Sequence, residues 1–103
     1  MTELDPIIIN IPCPSKEEGI RLCTEMLKQE LCGTAKIQEG VHLMYIEDGV
    51  QGSDIVLLSL KTTKQFIPKI HEFILKNHSW GTPCIEILPM MVDMCWDGCD
   101  NIF

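Results

Sequence analysis

The sequence predicts an α+β fold in which two helices cover one face of a four-stranded antiparallel sheet. Three observations lead to this prediction. A length of 103 residues allows one domain, residues 1–103. Apolar residues recur at helical spacing in two segments and form short continuous runs in four others. These segments follow one another as strand, helix, strand, strand, helix, strand, which is the β-α-β-β-α-β order of the ferredoxin-like sandwich.

The first strand and helix are predicted from residues 6–33. The run PIIINI, which begins at residue 6, is rich in β-branched residues and predicts a buried strand. Ser15 and Glu18 have the spacing of a capping box at the start of a helix. We expect the buried face of this helix to contain Ile20, Cys23, Met26, Leu27 and Leu31. The helix should end at Cys32-Gly33, because glycine tolerates the left-handed conformation that closes many helices.

The remaining elements are a hairpin, a second helix and a fourth strand. Residues 35–46 and 55–60 are predicted to pair around a turn rich in aspartate and glycine. The second helix should open at residues 62–65, and its regular part should begin near Pro68 after an irregular first turn. Its apolar face is expected to contain Phe66, Ile67, Ile70, Phe73 and Ile74. The run CIEIL at residues 84–88 predicts the last strand, and residues 90–103 form a tail without a clear period.

The net charge and the amino-terminal residues indicate which binding partners and which compartment to expect. The net charge is −7, from 15 acidic and 8 basic residues. A nucleic-acid partner needs a basic face, and an anionic membrane surface is equally unfavourable, so we expect neither. A metal cation or a cationic ligand suits this charge, although solubility alone also explains it. The amino end lacks a basic region before its short apolar run, so we expect a cytoplasmic protein whose six cysteines are reduced.

The motifs of several metal and enzyme classes are missing from the sequence. Cys95 and Cys99 form one close pair, but a closed zinc site usually needs two such pairs, so we expect reduced structural thiols. Cys13 stands alone in the first loop, where copper chaperones of this fold carry two cysteines. That loop also lacks the phosphate-binding arginine of an acylphosphatase, and the chain has no glycine-rich phosphate loop. The sequence therefore predicts neither catalysis nor an organic cofactor.

The connection KNHSWGTPCIEILP contains the candidate binding residues. His78 ends the second helix, where its side chain either caps backbone carbonyls or binds a ligand. Trp80 and Cys84 follow it, and Tyr45 and Lys61 stand near the ends of the hairpin strands. Such a mixture of aromatic and polar groups is typical of a ligand pocket, but their spacing does not show that they converge. His42 and His71 are expected to be ordinary surface residues of a strand and a helix.

Three segments, LCGTAKIQEGVHLMYIEDG, VLLSLKT and HSWGTPCIEILP, resemble the CutA divalent-cation-tolerance family in order and spacing. The resemblance covers residues 7–89. The family's residue types are retained at eight positions, which are Tyr45, Gly49, Lys61, Thr62, His78, Pro83, Leu88 and Pro89. Trp80 replaces a tyrosine, Cys84 replaces a glutamate, and the family's last helix is shortened or lost.

The resemblance implies a non-catalytic homotrimer with a cleft between subunits, where divalent metal ions such as copper have been proposed to bind. We expect Tyr45, Lys61 and Trp80 to line this cleft. His78 and Cys84 are the predicted metal ligands, because imidazole and thiolate suit copper or zinc. The alternative is a regulatory or scaffold trimer that resembles the PII signalling proteins and binds a small anion through Lys61 and Tyr45.

Overall fold

The computed structural model describes residues 5–91. Its elements are β1 (Pro6–Cys13), α1 (Lys16–Lys28), β2 (Thr34–Ile46), β3 (Val50–Thr63), α2 (Ile67–Asn77) and β4 (Glu86–Pro89). All neighbouring strands pair antiparallel in the order β2-β3-β1-β4. This arrangement confirms the predicted ferredoxin-like sandwich. Residues 92–103 of the predicted tail 90–103, including Cys95 and Cys99, lie outside the described residues.

The core lies between the helices and one face of the sheet. In β1 the buried side chains alternate with less buried ones, as expected for a strand with two different faces. Ile9 pairs with Leu60 across the β1–β3 ladder, and both side chains are fully buried. From the helices, Leu22, Met26 and Ile70 pack into the same cluster. The other face of the sheet carries the polar residues Asn10, Ser59 and Lys61 beside the apolar Ile8, all of them partly exposed, so one protomer has a covered face and an open face.

Helix α1 begins as predicted but buries a different face. The Ser15 hydroxyl accepts a hydrogen bond from the Glu18 amide at 3.2 Å, so Ser15 is the N-cap. The prediction of burial was correct for Cys23, Met26 and Leu31, but Ile20 and Leu27 are exposed. In their place Gly19 and Leu22 are buried, and with Met26 they form the spacing i, i+3 and i+7.

Gly19 explains why α1 has this orientation. A methyl group on Gly19 would lie 2.8 Å from Cδ2 of Leu58 in β3, so the absence of a side chain lets the helix lie close to the sheet. The helix also ends earlier than predicted, at Lys28. Glu30 takes a left-handed φ of 57°, and the Leu31 amide donates to the Met26 carbonyl at 2.9 Å. This is the hydrogen bond of a Schellman motif.

The second helix begins at Ile67, next to Pro68, as predicted. A single 3-10 turn, Lys64–Phe66, precedes α2, and Pro68 lies in the first turn of the helix. Proline is tolerated there because the amide it lacks would have no partner within the helix. Thr62 and Thr63, predicted to open the helix, instead end β3 and are buried. The Thr62 hydroxyl donates to the Leu31 carbonyl at 2.6 Å, which offsets the cost of its burial.

The hairpin of β2 and β3 is longer than predicted and extends past the rest of the sheet. Its turn contains Asp48 and Gly49, both with positive φ. The pairing of β1 with β3 ends at Cys13 and Val56, so the part of the hairpin beyond that point has two strands only. We call this part the arm; it comprises residues 41–46 and 50–55. The polar residues 51–54 belong to β3, although the sequence prediction placed them in the turn.

Candidate functional site

The structure places three of the five predicted site residues in the connection between α2 and β4. His78 is the C-cap of α2, and Trp80 and Cys84 follow before β4 begins at Glu86. Gly81 has a φ of +75°, a conformation that glycine adopts without strain, and its amide donates to the His78 carbonyl at 2.9 Å. A tight turn therefore follows His78 directly.

His78 is buried, and both of its ring nitrogens make hydrogen bonds. Nε2 lies 2.7 Å from the Pro12 carbonyl oxygen of β1, and Nδ1 lies 3.0 Å from the Trp80 amide nitrogen. A carbonyl only accepts and an amide N–H only donates, so Nε2 carries the proton and Nδ1 the lone pair. The side chain joins the end of α2 to the end of β1. Its predicted role as a metal ligand stays a prediction, and it would require the loss of one of these two bonds.

Glu18 of α1 holds the same turn from the other side. Its carboxylate accepts a hydrogen bond from the Ser79 amide at 2.9 Å and lies 3.7 Å from Nδ1 of His78. Partial burial alone would raise the pKa of Glu18. The hydrogen bonds from Ser79, together with the charge of Arg21, outweigh this effect and hold the pKa of Glu18 below its usual range.

Trp80 and Cys84 remain accessible beside this turn. Trp80 is 46% exposed, and its ring lies 5.3 Å from the His78 ring, centroid to centroid, at a tilt of 47°. Cys84 is an exposed free thiol, whereas the other described cysteines are buried, which are Cys13, Cys23 and Cys32. Burial raises the pKa of Cys23 to about 11 and that of Cys32 to about 12. Cys84 is thus the thiol of residues 5–91 that is most open to solvent reagents.

Tyr45 and Lys61 lie at opposite ends of the hairpin within one protomer. Tyr45 pairs with Gln51, and Lys61 pairs with Thr34. The ten residues from Gln51 to Lys61 span roughly 33 Å at about 3.3 Å per residue. One chain therefore does not bring Tyr45 and Lys61 into a single pocket, and a cleft that contains both needs more than one copy.

Residues 5–91 contain no group of three or more histidine, cysteine, aspartate or glutamate side chains that could hold a metal ion. His78 and Cys84 thus gain no third ligand from the described part of their own chain. Neither helix within this part has the length and apolar character needed to cross a membrane.

A separate cleft of about 550 Å³ lies between the two helices. Its lining includes Glu25 and Glu72, but each pairs with a lysine of its own helix. Glu25 lies 3.6 Å from Lys28, and Glu72 lies 3.2 Å from Lys76. None of the predicted site residues lines this cleft, and its charges behave as solvated helix faces.

One polar pair on the arm was missed from the sequence. Nδ1 of His42 in β2 lies 2.8 Å from Oδ1 of Asp54 in β3. The two residues are directly opposite in the ladder. The turn residues Asp48 and Gly49 could have predicted this pair. A turn at these residues pairs residue 46 with residue 50, and the same register pairs residue 42 with residue 54.

The fold and these residues define a ferredoxin-like α+β protein with a projecting arm and a histidine-centred turn beside an exposed tryptophan and thiol. The family model described as CutA1 divalent ion tolerance protein matches residues 7–94, and the chain belongs to this family. The resemblance seen in the sequence motifs is thereby confirmed.

Individual relatives agree with this assignment. The chain is 28% identical over 90 residues to the protein named "Protein CutA 1, chloroplastic" from Oryza sativa subsp. japonica, a match that covers 86% of this chain and 51% of that protein. The chain thus spans about half the length of this curated relative. The crystal structure of CutA1 from Oryza sativa superposes with a TM-score of 0.88 at 25% identity, covering 98% of this chain and 95% of that one. The divalent cation tolerance protein from Thermus thermophilus gives a TM-score of 0.81 at 26% identity, covering 86% and 87%.

Proposed function

We propose that this chain forms a homotrimer that binds divalent metal ions, copper or zinc, between its subunits and contributes to tolerance of those ions without catalysing a reaction. The description of its family as divalent ion tolerance proteins supports the proposed binding of metal ions. The net charge of −7 per chain attracts cations. We place the protein in the cytoplasm, where its cysteines would stay reduced.

The exposed apolar residues of the arm are the main support for the proposed assembly. It exposes large apolar side chains, with Met44 63%, Ile46 84% and Val50 71% accessible in one protomer. A two-stranded ribbon is at best marginally stable alone in water. Exposed apolar residues on such a ribbon are expected to be covered by another surface, and a second copy of the chain offers a sheet with open edges.

Assembly also supports a cleft between subunits. Tyr45 and Lys61 lie roughly 33 Å apart along β3 in one protomer, by the rise of about 3.3 Å per residue. If both line one cleft, Tyr45 comes from one subunit and Lys61 from another. Trp80 borders the histidine turn near the end of β1, and its exposed ring supplies an apolar wall for the same cleft.

The metal ligands of the proposal are His78 and Cys84. Imidazole and thiolate favour copper and zinc over magnesium and calcium. Cys84 is exposed and free to bind, whereas His78 must release the Trp80 amide or the Pro12 carbonyl first. Two ligands from one chain bind a metal ion weakly, so neighbouring subunits or water complete the coordination shell.

Titration calorimetry of the full chain with copper and zinc chlorides tests the proposal. We expect binding that weakens sharply in His78→Ala and in Cys84→Ser, with magnesium as the negative control. Cys84→Ser is the cleaner variant, because Cys84 is exposed and its replacement leaves the core unchanged. The absence of copper and zinc binding to the wild-type chain would refute the metal function. Unchanged binding in both variants would remove these two residues from the site.

A second candidate is the binding of a small anion by the trimer. A hollow of about 40 Å³ on the open face of the sheet is lined in part by two lysines and two hydroxyl groups, which are Lys36, Lys61, Thr34 and Ser59. Ammonium and hydroxyl groups suit an anion. A thermal-shift screen with nucleotides and metal ions in parallel separates the two functions, because stabilisation by nucleotides and not by metals would favour the anion.

A further inference from the structure

The three histidines of the chain differ in which ring nitrogen is available. Both nitrogens of His78 are hydrogen-bonded inside the protein. His71 is exposed on α2 and makes no hydrogen bond or ion pair with residues 5–91. His42 is the intermediate case, because Nδ1 contacts Asp54 and Nε2 has no hydrogen-bond partner within the described part of the chain.

Asp54 fixes the orientation and the tautomer of His42. The Nδ1 to Oδ1 distance is 2.8 Å, and an ionised carboxylate only accepts hydrogen bonds. Nδ1 therefore carries the proton in the neutral ring, and the lone pair is on Nε2. The side chains of His42 and Asp54 are 59% and 83% exposed, so the pair lies at the surface of the protomer.

Gly52 keeps space beside the same ring edge. It lies two residues from Asp54 on β3, diagonally across from His42. A methyl group on residue 52 would lie 2.8 Å from Nε2 and 3.2 Å from Cε1 of His42. Gly52 has no left-handed φ, so its role at this position is the space it leaves for the ring. Three residues on two strands thus hold one imidazole in one orientation, and no residue of 5–91 makes a hydrogen bond to its Nε2.

We infer that Nε2 of His42 is a ligand for a divalent transition-metal ion of the zinc or copper type, and that Asp54 and Gly52 are its positioning residues. A ligating histidine commonly donates its other ring N–H to a carboxylate, which fixes the ring and makes the ligating nitrogen more basic. Imidazole suits zinc, copper and nickel, and does not suit magnesium or calcium.

This site goes beyond the pair His78 and Cys84, although it rests on the proposed binding of divalent ions. Residues 5–91 supply no group of three ligands within one protomer, so water and a neighbouring copy complete the shell. His42 lies on the arm, whose exposed apolar residues carry the proposal of assembly. A second subunit that covers the arm would lie beside His42, and that subunit or water must supply the remaining ligands.

Zinc titration of four variants of the full chain tests the inference. His42→Ala removes the ligand and is expected to weaken zinc binding at least tenfold. Asp54→Ala frees the ring and is expected to weaken it by roughly 10- to 100-fold, whereas Asp54→Asn keeps an oxygen acceptor for Nδ1–H and should recover part of the loss. Gly52→Ala retains the imidazole but displaces it, so zinc binding should weaken there as well.

His71→Ala is the matched control, because it removes an exposed imidazole that has no carboxylate partner in residues 5–91. Its zinc affinity should equal that of the wild-type chain. The ring carbons of His42 should shift in ¹H–¹³C spectra on addition of zinc chloride, and those of His71 should not. Circular dichroism of each variant confirms that the fold is retained.

The outcomes separate this inference from the proposed function. Wild-type zinc affinity in His42→Ala, with no zinc-dependent shift of the His42 ring, overturns the inference and leaves the proposed metal binding intact. A wild-type chain that binds neither zinc nor copper overturns both. A loss of affinity in His71→Ala equal to that in His42→Ala shows non-selective binding to surface imidazoles, which also overturns the site.

Discussion

Replacing His78 with alanine is expected to destabilise the fold by about 3 to 4 kcal/mol even when no metal ion is present. The side chain is fully buried and bonded at both nitrogens. Its loss leaves the Pro12 carbonyl buried without this partner, at a cost of about 2 kcal/mol, and the part-buried Trp80 amide without its acceptor, at about 1 kcal/mol. The lost packing of the ring adds roughly 1 kcal/mol.

Thermal unfolding followed by circular dichroism in EDTA measures this effect. For a domain of this size each kcal/mol changes Tm by about 4 to 8 °C, so we expect a decrease of at least about 12 °C. Wild type and variant are compared at equal protein concentration, because Tm depends on concentration if the chain assembles. His71→Ala is the control, and its stability should remain within about 0.5 kcal/mol of the wild type because His71 is exposed.

The result that refutes this reasoning is specific. If His78→Ala unfolds at the wild-type temperature in EDTA, the two hydrogen bonds do not support the fold. If copper or zinc then raises the Tm of the wild type but not that of His78→Ala, the main role of His78 is to bind metal and not to stabilise the fold.

Iodoacetamide should alkylate Cys84 in the folded chain and leave the buried thiols unmodified, as measured by peptide mass spectrometry. Equal labelling of Cys23 in native and denatured protein would contradict the burial that raises its pKa. Glu18→Gln should be less stable than the wild type at pH 7. Folding lowers the pKa of Glu18, so its contribution to the free energy of unfolding is complete above the ordinary pKa of 4.5 and is lost as the pH falls through the folded pKa. In urea unfolding, the stabilities of wild type and Glu18→Gln should therefore become equal in acid. Ile46→Glu adds a charge to the most exposed apolar side chain of the arm and should dissociate the assembly while each protomer stays folded. A sedimentation profile identical to that of the wild type would show that Ile46 lies outside the contacts between subunits.

Much of the fold could be predicted because local patterns agree with the tertiary structure. The PIIINI run, the Ser15 cap, the Asp48-Gly49 turn and the start of α2 next to Pro68 each depend on neighbours in sequence. Turn residues, caps and proline restrict the backbone directly, so the chain alone reveals them.

The buried face of α1 could not be predicted in the same way. Ile20 and Leu27 are more hydrophobic than Gly19, and periodicity therefore placed them in the core. What decides the orientation is the close approach of Gly19 to Leu58, a contact between segments 39 positions apart in the chain. Hydrophobicity does not measure how near a helix can lie to a sheet.

The candidate site was predicted in part. The sequence identified His78, but not that Pro12 and Trp80 occupy both of its nitrogens, because these partners come from β1 and from a turn whose course depends on Gly81. Glu18 was expected to complete a capping box with Ser15, whereas its carboxylate accepts from the Ser79 amide. Long-range partners of this kind follow from topology and not from local pattern.

Sedimentation velocity of the purified chain tests the central claim most directly, namely that ligands are held where copies of this protomer meet. A homotrimer of 11.7 kDa chains, about 35 kDa in total, is the predicted species at micromolar concentration. A single species of 11.7 kDa would contradict the account, because Tyr45 and Lys61 could not then share a cleft and the apolar arm would remain in water.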